Sequence, residues 1–163
     1  MLALPNQTKM ALEWDLTQPI RFLTERKGLP DRHVNEMAVE YRRFIGVIAA
    51  FPKEMFPVSE AVDEMWHTHI LFTSDYRVMG QAVRGEYINH HPILSEEERQ
   101  KVLPYYTEGT LRRYVQLYGE PSPEWWPVSG AICWSKGPGL LPSRTKEGSC
   151  LARDRTLKVN FKK

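Results

Sequence analysis

The stretch Val62-Asp63-Glu64-Met65-Trp66-His67-Thr68-His69-Ile70-Leu71-Phe72-Thr73-Ser74-Asp75-Tyr76 decides how this chain is read. At about 100° per helical residue, Val62, Met65, Trp66, His69, Thr73 and Tyr76 share one face. Asp63, His67, Ile70 and Ser74 share a neighbouring one. His67 and His69 then point about 160° apart, so a regular helix does not let them hold one ion together. Leu71 and Phe72 fill the remaining sides. A helix that is apolar nearly all round is central and buried, which predicts that both imidazoles lie inside and need polar partners. Tyr76 is the expected partner of His69.

Asp63 stands four residues before His67 on the same face. That spacing suits a carboxylate that binds a metal beside an imidazole, or one that orients the imidazole by hydrogen bonding. His90 and His91 follow Gly85 after a loop, and either can bring a further nitrogen. Asp63 and His67 with His90 or His91 are therefore the candidate ligands of a zinc or iron site with an open position. Hydrogen bonding without any metal is the simpler alternative. The spacing is not that of HExxH, and no Ser or Cys sits at a nucleophile elbow. His33 lies apart and reads as a solvated surface residue.

Outward from this segment the body reads as helices. Asp15 or Thr17 caps a short one through Leu23, closed by Gly28. Val34, Met37, Tyr41, Phe44, Ile45 and Ile48 recur at three and four residues and paint one face of the next. Ser59 caps the motif helix, and Ser95-Glu96-Glu97-Glu98 has the form of a capping box, Glu98 reaching back to the Ser95 amide. Pro104 interrupts that helix or starts a new one, and Tyr106, Thr110, Tyr114 and Tyr118 form a ridge stopped by Gly119. The expected fold is all-α: a compact bundle of about five helices over residues 32–128, preceded by a segment 1–31 with a short helix. Residues 129–163 read as an extended basic tail, and Thr156 to Lys162 alternate as a short strand would.

The 163 residues carry 22 basic and 20 acidic side chains, a net charge of +2, with 42% hydrophobic and 26% charged residues. That composition excludes collagen, a disulfide scaffold and a wholly disordered chain. The longest apolar run, Phe44 to Phe51, is too short to span a bilayer, and Met1 to Pro5 lack the features of a signal peptide. A reducing, cytosol-like location is expected, with Cys133 and Cys150 as free thiols or metal ligands sooner than a disulfide. Neither has a CxxC neighbour, so a zinc site in the tail is not expected. Residues 136–163 hold eight basic and two acidic side chains, a net +6, which leaves −4 for residues 1–135.

The motif resembles the "VDxxWHxHILxTxxY" signature of the glycine-rich domain-containing protein-like family. Gly85-Glu86-Tyr87-Ile88-Asn89-His90-His91-Pro92 is similar to its "G-x-x-I-x-H-H-x-P" segment, and Tyr106 to Pro127 fit its closing helix. The resemblance covers roughly residues 32–128. It implies a mostly helical domain with Asp63, Trp66, His67, His69, Tyr76, His90 and His91 as site positions, and it implies no particular activity. Met79 stands where such relatives carry Cys, and the basic tail replaces their Gly/Cys-rich extension.

The preferred functional expectation is a non-catalytic interaction module. Its buried His cluster stabilises the fold, and its tail (Arg153, Arg155, Lys158, Phe161, Lys162) docks on a protein partner in a large, virion- or tail-like assembly. A metal-dependent hydrolase using Asp63, His67 and His90 or His91 is the alternative. A nucleic-acid adaptor acting through the basic tail is the third option.

Overall fold

The computed structural model describes residues 4–128 and the backbone of 131–135. The expectations for Cys150, for Arg153, Arg155, Lys158, Phe161 and Lys162, and for a strand at 156–162 lie outside these residues.

The described chain is a helical bundle, as the periodicity predicts. Helix α1 (Asn6–Leu12) leads to α2 (Thr17–Arg21), which continues as a π-helical turn, Phe22–Arg26. The long α3 (Asp31–Ala50) is followed by strand β1 (Phe56–Ser59), α4 (Glu60–Leu71) and α5 (Thr73–Arg84). Strand β2 (His90–Pro92) precedes α6 (Glu96–Pro104), a π-helical segment (Tyr105–Leu111) and α7 (Arg112–Tyr118), and β3 is Ala131–Ser135.

All six apolar residues that mark α3 in the sequence are buried, and α3 packs against α1, α4, α5 and α7. Residues 4–31 are joined to the body: Thr8 Oγ1 donates to the Gly46 carbonyl at 3.4 Å, and Arg42 Nε to the Trp14 carbonyl at 2.8 Å. Asp15 Oδ1 takes both the Thr17 amide and hydroxyl, which starts α2. Gly28 has φ 70°, as its place after the helix requires.

Two local features differ from expectation. The motif helix is two helices. Its ladder closes at Phe72, whose amide bonds the His69 carbonyl at 3.0 Å with ψ 61°, and α5 starts at Thr73. Thr73, Ser74 and Asp75 favour helix starts over helix interiors, and Asp75 gains from the positive end of α5. Glu98 accepts the Leu94 amide, not that of Ser95, while Ser95 Oγ accepts the Glu98 amide as expected. Pro104 interrupts the helix, as expected: α6 ends at it. It carries no N–H for the ladder, and the chain widens after it into the π-helical segment before resuming as α7. The ridge survives this: Tyr106, Thr110 and Tyr114 are buried.

A small antiparallel sheet, unforeseen in the sequence, completes the body. Its order is β1-β3-β2. Phe56 and His90 both pair with Ser135, and Val58 and Pro92 both with Cys133. Pro57 and Pro92 fall on the two edge strands, where a missing backbone donor is tolerated. The Pro57 carbonyl accepts from Thr110 Oγ1 at 2.7 Å, which ties β1 to the π-helical segment.

Candidate metal centre

Helix α4 separates the two motif histidines as the 100° step predicts, and their surroundings differ. His69 is fully buried. Its Nδ1 lies 2.9 Å from the Tyr41 hydroxyl and its Nε2 2.7 Å from Asp75 Oδ2, which also accepts from Trp14 Nε1 at 3.2 Å. Burial holds the His69 pKa below the usual histidine value, against the opposing pull of Asp75. Tyr76 is not its hydrogen-bond partner. That ring stands edge-on at 5.2 Å, while its hydroxyl accepts from Trp66 Nε1 and donates to the Ile88 carbonyl, both at 2.7 Å. The break at Phe72 is the reason: it re-aims α5, so Asp75 reaches back to His69.

His67 is not buried as a whole. Its side chain is 43% exposed, yet its Nε2 is sealed from solvent and has no hydrogen-bond partner. Nor is α4 apolar-packed all round, since Leu71 is 64% exposed. Asp63 is buried, with Oδ2 3.4 Å from His67 Nε2 but not aligned as a hydrogen bond. Its other oxygen lies 2.9 Å from His90 Nε2. The His67 and His90 ring centroids are 4.5 Å apart, and Trp66 packs edge-on against His90 at the same distance. One donor atom from each of Asp63, His67 and His90 lies within 4.8 Å of the others. Of the four candidate ligands, the structure gathers these three. His91 follows on β2, where alternate side chains face opposite sides of a sheet.

Three devices deliver His90. Gly85, at φ 78°, ends α5 in the left-handed conformation that glycine adopts without strain. Gly80 lets the following loop close on α5: a Cβ there would meet the Glu86 carbonyl oxygen at 2.9 Å. The Tyr76 hydroxyl then pins Ile88, two residues before His90. The sequence motif marks Trp66 and Tyr76 without their roles; Trp66 packs against His90, and Tyr76 holds its approach through the Ile88 carbonyl.

The donor set is two imidazoles and one carboxylate, which suits zinc or ferrous iron. Burial lowers the His67 pKa, opposed chiefly by Asp63 and reinforced by His90. A neutral imidazole with an unpaired, sealed nitrogen is a ready ligand. Nearby, Lys27 Nζ pairs with Glu64 Oε1 at 2.8 Å, so the carboxylate next to Asp63 is engaged elsewhere. Tyr41 and Asp75 are the partners of His69 that sequence reasoning missed. Asp75 lies inside the motif and carried a usable signal; Tyr41 is 28 positions from its partner.

Among the described residues, no helix is long and apolar enough to cross a membrane. No curated protein and no solved structure matches the chain. The UCP032817-like family matches residues 8–118, a span that takes in α2 through α7, most of α1, and every residue of the Asp63, His67 and His90 group. With well over half of its length matched, the chain belongs to the UCP032817-like family.

Proposed function

We propose that this protein is a metal-binding helical domain in which Asp63, His67 and His90 hold one divalent transition metal, zinc or iron. The observation that carries this reading is the His67 Nε2, sealed from solvent with no hydrogen-bond partner and 3.4 Å from a buried carboxylate oxygen. An orphaned buried nitrogen costs about 1–3 kcal/mol, and a cation between the three donors removes that cost. Three protein ligands leave a coordination position that a water could fill. A bound cation there would make that water more acidic, which is the chemistry a hydrolase-type activity needs.

The test is isothermal titration of the metal-free chain with Zn2+, with Co2+ absorption as a second readout. One site per chain is expected, with a tetrahedral or five-coordinate cobalt spectrum, and His67→Ala or His90→Ala abolishes both. No saturable binding overturns the reading.

A second reading is favoured by the 2.9 Å Asp63–His90 bond, which satisfies one imidazole without an ion. In it the cluster serves cohesion, and the chain is a non-catalytic interaction module whose basic C-terminal segment docks on a protein partner in a larger assembly. Nucleic-acid binding by that segment is the weakest alternative. The narrower likeness to glycine-rich domain-containing proteins rests on the Val62–Tyr76 and Gly85–Pro92 motifs and on the fit of Tyr106 to Pro127 to that family's closing helix.

A further inference from the structure

Strands β1 and β2 are not neighbours: β3 lies between them. β1 runs without a break into α4, which carries Asp63 and His67, and β2 opens with His90. Ser135 is the register partner of both Phe56 and His90, and Cys133 of both Val58 and Pro92. The backbone of β3 therefore spans the two halves of the ligand set. Ile88 is held independently by Tyr76, but the chain from His90 to Pro92 takes its place in the sheet from β3.

We infer that occupancy of the Asp63, His67 and His90 site by a divalent cation and docking of Ala131–Ser135 between β1 and β2 are linked, each tightening the other. This regulation rests on the metal reading above. Three donor atoms that all lie within 4.8 Å of one another must each be kept about 2.0–2.2 Å from one cation. Keeping them there needs β2 held against the β1–α4 unit, and β3 supplies the hydrogen-bonded ladder between them. A cation that favours the docked arrangement must, by reciprocity, bind more weakly where β3 is undocked.

Hydrogen exchange of the full chain with and without saturating Zn2+ tests this. Amides of 131–135 should slow about tenfold or more on Zn2+ addition, and this slowing should vanish in His67→Ala. Cys133→Pro, which removes a ladder donor from the central strand, should bind Zn2+ about tenfold more weakly than Cys133→Ala, which keeps it. Stoichiometric Zn2+ binding with unchanged exchange at 131–135 overturns the linkage and leaves the metal site standing. Equal Zn2+ affinity of folded Cys133→Pro and Cys133→Ala does the same. If Cys133→Pro fails to fold, the exchange measurement on the unaltered chain decides alone. A full chain that binds no Zn2+ overturns both proposals.

Discussion

Asp63→Asn separates a carboxylate kept for metal from one kept for cohesion. Asp63 makes one aligned hydrogen bond, with His90 at 2.9 Å, and leaves His67 Nε2 without a hydrogen-bond partner at 3.4 Å. Asn at this position still accepts from His90 through its carbonyl oxygen. Its amide N–H groups can donate to the His67 nitrogen, pairing the atom that is now orphaned. Replacing a charge-assisted bond by a neutral one loses about 1 kcal/mol, and pairing the orphan returns a similar amount. The variant also no longer buries a charged group. The metal-free stability of Asp63→Asn should therefore lie within about 1 kcal/mol of the parent.

Metal binding should not survive the change. Altering a group that merely supports a ligand costs roughly 10–100-fold in affinity, and removing the only anionic ligand should cost at least the upper figure. At a Zn2+ concentration a hundred times its dissociation constant, the parent gains about 2.7 kcal/mol. For a chain of this size that is a rise of about 5–10 °C in Tm. The assay is thermal melting followed by circular dichroism, in chelator and in Zn2+. The parent should shift and Asp63→Asn should not, while their chelator curves nearly coincide. A loss above about 3 kcal/mol in chelator, or equal Zn2+ shifts in both, refutes the reasoning.

Other perturbations give equally definite outcomes. Burial holds the His67 and His69 pKa values below the unfolded value near 6.5, so the unfolded state binds more protons across that window. Stability should be full above about pH 6.5 and fall as the pH drops through the folded-state values; urea midpoints from pH 7 to 5 should show this, and His69→Gln should flatten the slope. Glu40 accepts from Tyr114, Trp126 and Arg43 in the interior, so Glu40→Ala should cost about 3 kcal/mol in urea unfolding; a loss under 1 kcal/mol would contradict the geometry. Gly80→Ala pushes a methyl against the Glu86 carbonyl and should cost about 1–3 kcal/mol while also weakening Zn2+ binding, because the same loop delivers His90; unchanged affinity would mean that the loop does not position it.

What the sequence reveals here is what local geometry controls. Val34 to Ile48 declare α3 because a buried helix face repeats every three to four residues. Asp63 and His67 stand one turn apart on one helix, and their partnership is legible from spacing alone. Gly85 and Ser95 mark a helix end and a helix start through their own backbone and side-chain chemistry. What stays hidden is pairing at long range. β1 is four residues with a proline among them and no alternation, and its partner lies more than 70 residues on. Tyr41 reads as one more apolar position of α3, yet its hydroxyl meets His69 across the core. The choice of His90 from His90 and His91 depends on which face of β2 meets α4, which the run His90-His91-Pro92 does not state.

The last of the described strands takes the middle of the sheet. During synthesis the whole helical body leaves the ribosome before residues 131–135 do. Until they arrive, β1 and β2 border a vacant lane, each with unpaired backbone groups along it. Such a lane accepts any extended segment of suitable register, including the same five residues from a neighbouring nascent chain, so crowded translation of this protein favours exchange of β3 between copies.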